Sequence, residues 1–163
     1  MSPTTAIRIS SPSVAKGYHR LLPTLGLIGL LLTAAPTVAQ AEISDAKVEA
    51  LVEALRLAAP EASSSLYSDW RVKADNIRPW SIRCLNQELS PEQFAADQDL
   101  ARQVLVCVIG PVLRDQFTAS NQNEIVAVQR AAAWWISGNP GQYRSASNSA
   151  YTLKVLETYL RFF

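Results

Sequence analysis

Apolar residues recur at three- and four-residue intervals along much of this chain, and that spacing predicts helices. Val48, Leu51, Val52, Leu55 and Ala59 fall on one face, with Glu49 and Glu53 opposite. Ser44-Asp45 marks the start of this helix and Pro60 its end. Ser90-Pro91-Glu92-Gln93 has the form of a capping box with proline at the first helical position, and Phe94 opens the apolar face behind it. Asp97 or Asp99 restarts or continues the helix through Leu100, Val104, Cys107 and Val108. Residues 104–109 are apolar on every side, the pattern of a central buried helix. Gly110-Pro111 is expected to kink or break it, since Pro111 has no N–H for the Cys107 carbonyl.

Asn121 or Asn123 caps the next helix, which runs through Ile125, Val128, Ala132 and Trp135 until Gly138 and Pro140 stop it. On that stripe Trp135 is expected to be the buried ring and Trp134 the edge ring. Ser147 then caps a last helix. Tyr151, Val155, Tyr159 and Phe162 share one of its stripes, and Leu153, Leu156, Leu160 and Phe163 another. Residues 66–89 are the least periodic. Pro79 biases Arg78 away from helical geometry, so an irregular connection with one or two helical turns is expected there, packed by Tyr67, Trp70 and Trp80. No strand alternation or repeat is visible. The pattern predicts a single small all-α domain of about five helices over residues 42–163.

The first 41 residues read differently. Arg8, Lys16, His19 and Arg20 form a basic leader, residues 21–35 are apolar, and Ala39-Gln40-Ala41 is the small-x-small sequence that signal peptidase cuts after. The apolar run is shorter than the roughly 20 residues of a spanning helix and is interrupted by Pro23, Gly26 and Gly29. Residues 1–41 are therefore expected to be a signal peptide, with no stable membrane anchor after cleavage. The exported chain would begin at Glu42, in a periplasm or thylakoid lumen.

Cleavage removes the only histidine and the only methionine. It also takes three basic residues and no acid, which leaves 12 Lys and Arg against 14 Asp and Glu. Such a balance gives no electrostatic reason to bind nucleic acid or an anionic bilayer. Cys84 and Cys107 are the only cysteines and are expected to pair in an oxidising compartment. Two thiolates fall short of a structural zinc site and lack the Cys-x-x-Cys spacing of a redox pair. No cofactor or metal is expected.

Ser44-Asp45-Ala46-Lys47 fits the Ser-x-x-Lys pattern of serine acyl enzymes, but no companion motif follows and Ser44 reads as a helix cap. Without histidine, the hydrolytic chemistry least impaired is a carboxylate pair acting on a glycan. Asp69, beside Trp70, and Glu88 are the candidate acids. Trp134 and Trp135, with Tyr143 nearby, are the candidate partner-binding residues, because half-exposed aromatic rings stack on glycans and anchor protein partners.

Four segments read together: Trp80-Ser81-x-Arg83-Cys84, Leu105-Val106-Cys107-Val108, Ala132-Ala133-Trp134-Trp135-x-x-Gly138-x-Pro140-x-x-Tyr143, and the closing Tyr-Lys-Val-Leu-Tyr helix. In these the chain resembles small exported helical proteins of cyanobacteria. The resemblance implies an exported setting and brings no activity or site residue with it. The expected function is a soluble exported domain that binds a protein or glycan partner, with no catalytic residue assigned. The alternative is a small cell-wall-active glycan-cleaving enzyme.

Overall fold

The structure, a computed structural model, describes residues 42–61 and 65–163. The expected signal peptide lies outside the described residues. Among these residues the chain forms six α-helices, α1 (Asp45–Leu57), α2 (Ala74–Leu85), α3 (Pro91–Ala96), α4 (Gln98–Ala119), α5 (Glu124–Ser137) and α6 (Ser149–Tyr159). A two-stranded antiparallel hairpin, β1 (Leu66–Tyr67) and β2 (Val72–Lys73), precedes α2. The all-α class holds, with this small hairpin added.

The longest helix, α4, is the hub. It packs against α1, α2, α3 and α5, and α6 closes the bundle across α1 and α5. Leu51 and Leu55 of α1, Leu105, Ile109 and Leu113 of α4, Val128 of α5 and Tyr159 of α6 are enclosed. Ala127, Ala131 and Ala132 give α5 a slim inward face, so its backbone can approach its neighbours closely.

The local signals act as their chemistry dictates. Ser44 accepts from the Lys47 N–H and caps α1. Ser90 accepts from the Gln93 N–H while the Gln93 side chain accepts from the Ser90 N–H, which completes the capping box of α3. Asp97 caps α4 and Asn123 caps α5. Gly138, at φ 75°, closes α5 with its N–H on the Trp134 carbonyl.

Four expectations change. Residues 66–89 are not irregular, because α2 runs for 12 residues across Pro79. Proline removes one bond, to the Asp75 carbonyl. The burial of Ile77 and Ser81 and the tether at Cys84 hold Arg78 helical against its local bias. Of the kink or break expected at Gly110-Pro111, the break does not occur, since α4 continues across it. Gly110 is buried where α1 crosses, and a Cβ there would lie 3.5 Å from Val48 Cγ1 and 2.9 Å from Arg114 Nη1. Asn148, not Ser147, precedes α6, and its amide donates to Ser137 Oγ instead of capping. Finally, the two expected stripes of the last helix do not pack as units: Val155, Leu156 and Tyr159 are buried, while Leu153, Leu160, Phe162 and Phe163 are exposed.

Candidate functional site

The C-terminal turn of α5, residues Asn76 and Trp80 of α2, and the hairpin enclose a cleft of about 390 Å³. Three of the chain's four tryptophans line it: Trp80 from α2 and Trp134 and Trp135 from α5. All three are half-buried. The Trp80 and Trp135 rings lie 6.1 Å apart, tilted by 35°. The hairpin contributes Arg71 and Lys73, and Asn76 follows from the first turn of α2.

Each wall has a local cause. Adjacent helical residues project about 100° apart, so Trp134 and Trp135 share a wall only because the inward face of α5 is wide. That face is alanine with Val128 as far as Ala133, and the two large rings arrive at the last turn. Trp135 is therefore not enclosed as expected. It continues the line of Val128 and Ala132 one turn past the core and meets Trp80. Ile125, at the other end of the expected stripe, is 51% exposed. The hairpin is fixed by the fourth tryptophan. Trp70 is buried, and its indole N–H donates to the Val52 carbonyl of α1 at 2.8 Å. The loop that presents Arg71 has two non-glycine residues in the left-handed region, Ser68 and Arg71, both at φ 58°.

Tyr143 sits apart from the cleft lining. Its carbonyl accepts from Thr152 Oγ1, and the Arg144 guanidinium lies 5.0 Å over its ring. The structure thus brings Trp134 and Trp135 together with Trp80, not with Tyr143. Trp80 carried a signal in its cluster with Tyr67 and Trp70, but only a helical α2 turns it toward α5.

Cys84 and Cys107 are bonded, and the bridge ties α2 to α4. The candidate acids are tied up separately. Asp69 pairs with Arg56 and accepts from Gln98 Nε2, and Glu88 pairs with Arg78. Neither lines the aromatic cleft. Lys47, the base that a Ser-x-x-Lys mechanism would need, gives its ammonium to Glu124.

That last pair belongs to a polar cluster at the N-terminal end of α5, opposite the end that lines the cleft. Glu124 accepts from Lys47 Nζ and, at 2.6 Å, from the Tyr159 hydroxyl. Burial alone would push the Glu124 carboxyl up, but the two hydrogen bonds and the Lys47 charge prevail and hold it below its ordinary range. Burial first, and then Glu124, push the Tyr159 hydroxyl well above the usual tyrosine range. The cluster joins α1, α5 and α6, and its groups are spent on one another.

Among the described residues no group of His, Cys, Asp and Glu could hold a metal ion, and no helix is long and apolar enough to cross a membrane. Compared with protein-family models, curated proteins and solved structures, the chain finds no match in any of the three.

Proposed function

We propose that this chain is an exported helical binding domain that takes its partner in the Trp80–Trp134–Trp135 cleft. The observation that carries this reading is the cleft itself. A small helical domain gains stability by enclosing its tryptophans, yet three of four line one open concavity. Half-buried rings fixed by a rigid scaffold make anchors, because they offer large apolar area at little conformational cost. Export is supported by the leader composition of residues 1–41 and by the disulfide, which needs an oxidising compartment to persist.

Binding is favoured over glycan hydrolysis because Asp69 and Glu88, the acids that the hydrolytic reading needs, are held by Arg56 and Arg78 outside the cleft. The test is capture from the native exported compartment on immobilised protein. Wild type should retain a partner, glycan or protein, that a folded Trp134→Ala variant releases, while a substitution at the remote, exposed Leu153 changes nothing. Equal retention by wild type and the Trp134→Ala variant would overturn the reading.

A further inference from the structure

Resting on the reading of this cleft as the binding site, we infer that its ligand is an acidic sugar, one or two uronate-type residues of an anionic glycan. The inference starts from charge. Five of the described basic residues, Lys47, Arg56, Arg78, Arg102 and Arg114, are paired with carboxylates. Seven of the twelve described basic residues form no ion pair, and Arg71 and Lys73 are the two of these that line the cleft, where no Asp or Glu stands. Arg71 spends Nε on the Pro60 carbonyl and Nη1 on the Ser68 carbonyl, at 3.4 and 3.5 Å. Those bonds orient the guanidinium and leave most of its five donors for a ligand. The exported chain carries more acids than bases, so this local positive pair is not a reflection of overall charge.

The shape of the floor selects among anions. Trp80 and Trp135 touch at a tilt of 35°, which makes a bent surface rather than a slot between parallel rings. A flat nucleobase stacks on a flat face or between two. A puckered pyranose instead lays the C–H groups of one face across two inclined rings, gaining apolar contact and weak C–H to π attraction. An acidic peptide could not add as a strand here, because the adjacent strands are only two residues long. The volume of about 390 Å³ suits one or two sugar rings. In this arrangement the rings hold the sugar, Arg71 and Lys73 take its carboxylate, and the Asn76 amide reaches its hydroxyls.

The test is a titration of purified protein followed by tryptophan fluorescence and calorimetry, with tri-galacturonate as probe. Maltotriose, a triglutamate peptide and adenosine monophosphate are the comparisons. Tri-galacturonate should bind saturably, and maltotriose about tenfold or more weakly for want of the charge-assisted contact. Lys73→Gln and Arg71→Gln should each weaken tri-galacturonate severalfold with the fold intact by circular dichroism, Arg71→Lys should restore part of the loss, and added salt should weaken the wild type. Absence of tri-galacturonate binding, equal binding of maltotriose, or tighter binding of the peptide or the nucleotide would each overturn the inference. If tri-galacturonate fails while partner capture still depends on Trp134, the acidic-sugar assignment falls and the binding reading stands.

Discussion

The four tryptophans differ in what holds them, and the difference is measurable. Trp70 is buried and hydrogen-bonded to α1, so Trp70→Ala should cost about 3–5 kcal/mol of stability, the range of a large core truncation. Trp134 and Trp135 are both half-buried, and each alanine variant should cost less, about 1–2 kcal/mol, because the site is already open to water. Urea midpoints of the three variants check this order. Helical spacing alone ranks Trp135 as core, since periodicity reports a direction around the helix and not where along it the neighbouring helix ends. Glu124 gives a second test at this scale. Its carboxyl is held below its unfolded value, so its contribution is fully present above the ordinary glutamate range and is lost as pH falls through the lowered value. Glu124→Gln should therefore destabilise by about 1–2 kcal/mol at neutral pH. The gap from wild type should close in acid, as followed by urea melts between neutral pH and pH 3. At the alkaline end, Tyr151 and Tyr159 both titrate above the usual range in the fold, Tyr151 through burial, so stability should decline once pH passes about 10.

Helix α2 is the element on which the cleft depends, and it is where reading the chain locally fails. It carries Asn76 and Trp80, and its end is tied to α4 by the Cys84–Cys107 bridge. Replacing both cysteines with serine should lower stability by about 3 kcal/mol in the chain-entropy picture. It should also weaken ligand binding more than a stability-matched core variant does, because α2 loses its tether. Calorimetric unfolding paired with the binding titration separates the two effects. The caps at Ser44, Ser90 and Asn123 and the Gly138 stop were legible because each is a short-range exchange between a side chain and the backbone beside it. Pro79 and Pro111 were read as interruptions because their local penalty is visible in sequence. The burial that outweighs it, around Ile77 in one case and Gly110 in the other, is formed by residues far along the chain. The two-residue strands are too short to show alternation at all, so half of the cleft had no sequence signal.

For the whole molecule, the proposal is an exported domain with one fixed binding face. If the small-x-small site is used, intact mass of protein from its native compartment should correspond to a chain starting at Glu42. Retention of Met1 in a membrane fraction would contradict it. The face itself is built by three elements distant in sequence, with Trp70 securing the hairpin from beneath and the disulfide securing α2. On the proposed reading, the Trp80–Trp134–Trp135 cleft is where a partner sits. Oxidative footprinting of the tryptophans, read by mass spectrometry with the protein alone and with its compartment's extract, tests it most directly. The account predicts that Trp80, Trp134 and Trp135 react in the free protein and are protected together in the extract, while Trp70 is unreactive in both. Unchanged labelling of the three cleft rings, or protection confined to Tyr143, would contradict it.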